Sequence, residues 1–210
     1  MKYKVMIVED QTMPRELFEL RIQSSEHFET ALSIDNASLA EVYCLRFPVD
    51  LILMDVVTRN GENGLDAAAK IKRAFPQIKI IIVTSMPEYS YLSRAREIGV
   101  ESFWYKEEQR ESLLDVMERT MAGESVYPDA TPELQLGLAS SYEFTQRELE
   151  VLREMTGGDT NQEIAERLHI SVATVKSHIL NMLEKTGFRN RTELAVRARE
   201  SGLVILNRKN

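Results

Sequence analysis

Several side chains able to do chemistry stand at the ends of apolar runs. Glu9-Asp10 follows Tyr3 to Val8, Asp55 follows Leu51 to Met54, Thr84 follows Ile78 to Val83, and Lys106 follows Glu101 to Tyr105. Short apolar runs bounded by turn signals fit strands buried on both faces. In an open α/β sheet the C-terminal strand ends share one edge, where such folds bind ligands. Three carboxylates gathered there repel and raise one another's pKa. A hard divalent cation removes the conflict, and Mg²⁺ suits a few carboxylates plus waters. Asp55, so neutralised, could attack a phosphoryl group whose oxygens Lys106 and the Thr84 hydroxyl would hold. Taken alone, Asp55 reads as a helix cap or a solvated loop residue. The four placements together are what point to a site.

The elements needed to position these groups alternate. A second strand is expected over Thr30 to Ile34. Helices are expected over Thr12 to Ser24, Leu39 to Phe47 (ending at Pro48), Leu65 to Phe75 (stopped by Pro76), Glu88 to Ile98 (ended by Gly99) and Glu108 to Met121 (ended by Gly123). Five such βα units imply a parallel sheet with helices on both faces.

Composition narrows the class. The 210 residues suffice for one large or two ordinary domains, and 43% apolar with 28% charged residues is ordinary for a globular chain. The aliphatic runs are far too short to span a bilayer, and the N-terminus lacks the apolar core of a signal peptide. Cys44, the single cysteine, excludes an intramolecular disulfide and a Cys-based zinc site, and His27, His169 and His178 form no metal motif. These features point to the cytoplasm. Charge is uneven: residues 1–122 carry a net −5, residues 123–142 a net −3 with no Lys or Arg, and residues 143–210 a net +1. Nucleic-acid binding by the last segment therefore requires its positive charge to be gathered on one face.

Residues 123–142 read as a linker, with Gly123, Pro128, Pro132 and Ala139-Ser140-Ser141. A tether is the first expectation. Thr131-Pro132-Glu133 would suit a short helix start, and Leu134, Leu136 and Leu138 would suit docking. Beyond it, Thr145…Glu148, Thr160…Glu163 and Asn190…Glu193 have capping-box spacing, and Ser171 can cap a further helix. Four short helices follow, the middle pair joined by a turn of helix-turn-helix length. On the third, Val172, Val175, Ile179, Met182 and Leu183 share a core face. Thr174, Ser177, His178, Asn181 and Lys185 fall opposite, with Lys176 and Leu180 on one flank. Glu184 is the sole acid from Ser171 to Asn190. A polar face poor in carboxylates is what a major-groove reader needs.

The strand-end constellation resembles the receiver domain of two-component response regulators over roughly residues 3–121. That resemblance implies a flavodoxin-like strand order 2-1-3-4-5, phosphorylation of Asp55 by a histidine kinase, and direct Mg²⁺ binding by Asp10, Asp55 and the Val57 carbonyl, with Glu9 acting through water. It also implies a switch formed by Thr84, Lys106 and Phe103, although Phe103 equally suits plain core packing. Two departures stand out. Gly64-Leu65 arrives one residue late after Asp55, so the loop is expected to be more mobile than usual, with turns at Asn60-Gly61 and Asn63-Gly64. Glu107 replaces the common proline after the lysine. Phe144 to Leu152, Asn161 to Ala165 and Ile170 to His178 resemble the LuxR-type four-helix DNA-binding domain. That implies Thr160–Arg167 as scaffold helix and Val172–Lys185 as recognition helix. Lys176 and Ser177 would meet bases, Asn161, Thr174 and Asn181 would position phosphates, and Leu180 would favour a thymine methyl. Leu194, Ala195, Arg197 and Ala198 would supply the dimer contact.

The expected architecture is an α/β receiver over 1–122, a linker over 123–142 and a small all-α helix-turn-helix domain over 143–210. The expected function is phosphorylation-controlled transcription regulation. Its partners are a histidine kinase, an operator duplex, a second copy when phosphorylated, and RNA polymerase; no membrane is involved. Two alternatives stand beside it: a DNA-binding regulator that does not need phosphorylation, and a Mg²⁺-dependent phosphohydrolase.

Overall fold

The computed structural model describes residues 2–59, 62–106 and 111–204. It divides into two compact units, residues 1–86 with 90–130, and residues 131–210 with 87–89.

The first unit is a βα alternation. In chain order it runs β1 (Tyr3–Val8), α1 (Thr12–Gln23), β2 (Phe28–Ile34), α2 (Ala40–Cys44), β3 (Leu51–Met54), the short β4 (Val57–Thr58) and β5 (Glu62–Asn63), and α3 (Gly64–Ala74). It continues through β6 (Lys79–Thr84), α4 (Tyr91–Ile98), β7 (Ser102–Tyr105) and α5 (Leu113–Met121). Five strands pair in parallel in the order β2-β1-β3-β6-β7, which is the expected 2-1-3-4-5 order, since β4 and β5 form a separate antiparallel pair. The central strands are apolar because helices cover both faces: Val5 to Val8, Leu51 to Met54 and Ile80 to Val83 are fully buried.

Two expectations are corrected here. The helix expected over Leu39 to Phe47 is a 3₁₀ turn at Ala37–Leu39 followed by α2, which ends at Cys44. Asn36 caps that turn through the Ser38 N–H at 2.8 Å, so the start moves forward, and Leu45 and Phe47 are left exposed. The helix expected from Glu88 begins at Tyr91 and ends at Gly99 with φ +82°. In the loop after Asp55, the described residues on either side of 60–61 pair as strands. In the β4–β5 pair, Val57 pairs with Asn63 and Thr58 with Glu62. The Arg59 N–H donates to the Asp35 carbonyl at 3.1 Å and its guanidinium to the Asp35 carboxylate at 2.6 Å. The Asn60-Gly61 turn, Glu107 and the expected helix start at Glu108 lie outside the described residues.

The chain leaving α5 runs back along the edge strand β7. The Phe103 N–H donates to the Val126 carbonyl at 2.8 Å, and the Val126 N–H to Ser102 Oγ at 3.1 Å. The Tyr127 hydroxyl donates to the Val100 carbonyl at 2.7 Å, and the Arg96 guanidinium lies 4.1 Å from the Tyr127 ring centroid. Burial pushes the Tyr127 phenol up to about 12.

The second unit opens with a hairpin of β8 (Gln135–Leu136) and β9 (Ala139–Ser140) and a 3₁₀ turn at Ser141–Glu143. Four helices follow: α6 (Gln146–Thr156), α7 (Asn161–Leu168), α8 (Val172–Thr186) and α9 (Arg191–Glu200). Part of the presumed linker is thus folded structure. Leu136 and Ala139 are buried in the helical core, while Leu138 stays 82% exposed and no helix starts at Thr131. The Thr145–Glu148 and Thr160–Glu163 capping boxes are complete. At α9 the reciprocal bond shifts by one residue, so Asn190 caps Glu193 while the Glu193 carboxylate takes the Arg189 N–H.

Candidate functional site

The parallel register brings the reactive strand ends to one edge. Carboxylate oxygens of Glu9, Asp10 and Asp55 all lie within 4.8 Å of one another. Glu9 is fully buried and Asp55 nearly so, while Asp10 is more open. Lys106 Nζ enters from β7 and bonds Glu9 Oε2 at 2.6 Å and Asp55 Oδ2 at 2.8 Å. The Val56 N–H donates to Asp55 Oδ1 at 2.7 Å, and the Gln11 N–H to Glu9 Oε1 at 3.2 Å. Arg15, which the sequence reading passed over, donates to the Glu9 carbonyl at 2.9 Å.

One cation facing two buried acids leaves negative charge uncompensated. Burial first, then Asp55, raises the Glu9 pKa, and Lys106 only partly offsets this. Burial likewise raises Asp55 against the pull of Lys106 and of the Val56 and Val57 N–H groups. Burial works to lower Lys106, but Asp55 and Glu9 together keep it above the usual lysine value. A group of oxygen ligands in which the two buried acids, Glu9 and Asp55, resist their own charge fits a divalent cation. Thr84 is fully buried at the same edge and accepts the Met86 N–H at 3.1 Å. Phe103 is buried, 4.9 Å from the Tyr105 ring centroid and 6.3 Å from that of Tyr127.

In the second unit, α8 presents Thr174, Lys176, Ser177, Leu180 and Asn181 to solvent, with Leu180 57% exposed. Ser171 caps the helix through the Thr174 N–H at 3.0 Å, and the two hydroxyls lie 2.8 Å apart. Val175, Ile179 and Met182 are buried on the opposite face. Lys185 is not on the open face: its ammonium bonds Glu148 at 2.8 and 3.0 Å and the Glu143 carbonyl at 2.8 Å. Leu194 and Ala198 are fully buried in their own core, so neither has surface left for a second copy. On α9, Ala195 is half-buried, Arg197 is exposed and pairs with Glu200 at 3.1 Å, and Val196 is 49% exposed.

The model of the response regulator receiver domain matches residues 5–118, more than half of the chain. The chain belongs to the response regulator family. Within that family its second unit is of the LuxR type, because the model of bacterial regulatory proteins of the luxR family matches residues 143–198. Response regulator protein VraR of Staphylococcus epidermidis is 32% identical over 209 residues, 97% of this chain and 100% of that protein. VraR of Staphylococcus aureus is 32% identical over 217 residues, with the same shares covered. Among solved structures, a two-component response regulator RcsB–DNA complex aligns with a TM-score of 0.64 at 19% identity, covering 96% of this chain and 99% of that one. RcsB of Salmonella enterica serovar Typhimurium, bound to promoter rprA in the presence of the phosphomimetic BeF3−, aligns with a TM-score of 0.58 at 22% identity, covering 93% and 98%. At those identities the likeness shows the fold alone. With this membership, the phosphohydrolase alternative has no remaining support.

The response regulator framework exposes what periodicity missed. Arg191 Nη1 donates to Asn161 Oδ1 at 2.9 Å and Nη2 to the Asp159 carbonyl at 2.7 Å. The Asn161 side-chain carbonyl is therefore committed to the fold, which leaves its amide N–H groups as the donors it can offer. Among the described residues no helix is long and apolar enough to cross a membrane.

Proposed function

We propose that this response regulator takes a phosphoryl group from a histidine kinase onto Asp55 and, so switched, binds an operator duplex as a sequence-specific transcription regulator in the cytoplasm. The observation that carries the reading is the pocket in which Glu9, Asp10 and Asp55 outnumber Lys106. Asp10, Asp55 and the Val57 carbonyl would hold Mg²⁺ directly, and Glu9 through water. When bound, Mg²⁺ offsets the charge that develops on the transferred group. The chain's own residues do the rest. An Asp55 carboxylate oxygen bonds to phosphorus as the kinase imidazole departs, and Lys106 and Thr84 hold the phosphoryl oxygens. The Val56 N–H keeps the carboxylate oriented.

DNA recognition falls to α8, with Lys176 and Ser177 at base edges, Leu180 against a thymine methyl, and Thr174, Asn181 and the Asn161 amide on phosphates. Phosphorylation favours a homodimer, to which Ala195, Val196 and Arg197 of α9 contribute, and RNA polymerase is the downstream partner. Switching draws on Thr84, Lys106 and Phe103, whose ring is buried.

The test uses the full chain with Mg²⁺ and a small phosphodonor, read by intact mass. One phosphoryl group is expected on the wild type and none on Asp55→Asn. Lys176→Ala should weaken specific operator binding by about 1–3 kcal/mol, with a smaller loss on random duplex. A wild type that gains no phosphoryl group under these conditions overturns the reading.

A further inference from the structure

The hairpin that follows Asp55 carries a buried hydroxyl outside the pocket. Thr58 is 2% exposed in the hairpin that follows the phosphoacceptor. Its Oγ1 accepts the Ala37 N–H at 3.0 Å and donates to the Glu62 carbonyl at 3.1 Å. One atom thereby ties β4 to β5 and ties both to the loop after β2. The base of the hairpin closes on the acceptor itself. The Gly64 N–H donates to the Val56 carbonyl at 2.8 Å, and the Val56 N–H donates to Asp55 Oδ1 at 2.7 Å. A Cβ at Gly64 would fall 1.9 Å from the Asp55 carbonyl oxygen, so this approach leaves no slack. Asn63 completes the closure by capping α3 through the Leu65 N–H at 2.8 Å.

From this chain of bonds we propose that Thr58 is a positioning residue for phosphoryl transfer, fixing through the hairpin the Val56 N–H that orients the Asp55 carboxylate. The inference rests on the phosphoacceptor reading of Asp55. A hydroxyl suits the task because it donates and accepts at one point, which a valine of the same shape cannot do. Pre-orientation of the attacking group lowers the barrier to transfer, so loosening it slows the step itself rather than only weakening binding.

The experiment measures the first-order rate of phosphoryl uptake by the full chain at saturating Mg²⁺ and phosphodonor. Thr58→Val should react about tenfold more slowly, the scale of one buried hydrogen bond of about 1–1.5 kcal/mol. Thr58→Ser, which restores the bridge, should react within about twofold of the wild type on the same scale. Thr120→Val serves as the comparison, since Thr120 is an equally buried hydroxyl of the same unit that bonds Ser102 and the Val116 carbonyl. It should cost stability and leave the uptake rate unchanged. A second measurement needs no variant: Mg²⁺ with beryllofluoride should slow amide exchange at Ala37 more than across the rest of the receiver. Equal rates in Thr58→Val and wild type, equal slowing in Thr120→Val, or no excess protection at Ala37 would overturn the inference while the wild type still takes up phosphate. No uptake by the wild type removes the phosphoacceptor reading with it.

Discussion

Two buried lysine–carboxylate sites, one in each unit, settle their charge in opposite ways. In the receiver, Lys106 faces both Glu9 and Asp55, and both acids are pushed up in pKa, Asp55 by burial and Glu9 by burial first and then by the Asp55 charge. In the helical unit, Lys185 pairs with one carboxylate among the described residues, Glu148, to which Thr145 adds a backbone N–H at 2.7 Å and a hydroxyl at 3.0 Å. There burial also works to raise the acid, but Lys185 and Thr145 overcome it and hold Glu148 below its usual value. Distance does not separate the sites, since the lysine contacts run from 2.6 to 3.0 Å. Stoichiometry does. A satisfied acid is a fastener, whereas a surplus acid at an open edge is a demand for something the chain does not contain.

The sharpest way to break this comparison is at the fastener. Glu148→Gln should destabilise the helical unit by about 1.5–3 kcal/mol at neutral pH, the worth of a hydrogen bond to a charged group. A depressed folded pKa gives stability that is present above the unfolded value and lost as pH falls through the folded one. The penalty of Glu148→Gln, read by denaturant unfolding, should therefore shrink as pH falls below the ordinary glutamate range. A penalty independent of pH would show that Glu148 acts by packing instead.

A smaller effect tests the surplus. Given the Mg²⁺ site proposed above, millimolar Mg²⁺ should stabilise the wild-type receiver by about 1–2 kcal/mol by mass action, leave Glu148→Gln equally responsive, and do nothing for Asp55→Asn. Thermal melting with and without the ion decides it.

The smallest effect has the most telling sign. Asp55 is held above its usual pKa, so its burial costs stability once pH rises through the folded value and costs nothing below the unfolded one. At neutral pH, Asp55→Asn without Mg²⁺ should raise stability by about 1 kcal/mol, part of the penalty that a buried ion pays. Destabilisation instead would mean that Lys106 already balances the pocket.

What could be read from the sequence follows the range of the interaction. The strands at Leu51–Met54 and Lys79–Thr84 announce themselves by apolar runs, and the Thr145–Glu148 box by a three-residue spacing, because both signals are local. Asp55 and Lys106 could be joined because a parallel sheet must carry its strand ends to one edge. Periodicity could place Lys185 opposite the α8 core face, but not foresee that Glu148, 37 residues away, would claim it. Nor could spacing tell whether Leu194 and Ala198 serve their own core or a partner, since both roles demand an apolar face. Thr58 gave no signal, because one of its partners, Ala37, lies 21 residues back in a segment that only the fold brings to it.

The strand of chain laid along β7 bears on how the molecule can be divided. Composition suggests a cut at Ala122, yet the bonds from Phe103 and Ser102 reach Val126, and Tyr127 roofs the ring of Phe103. A fragment trimmed at Ala122 would present an unpaired β-edge beside an uncovered aromatic, the combination through which sheets recruit foreign strands and aggregate. A receiver fragment should therefore be carried to about residue 130, where the first compact unit ends.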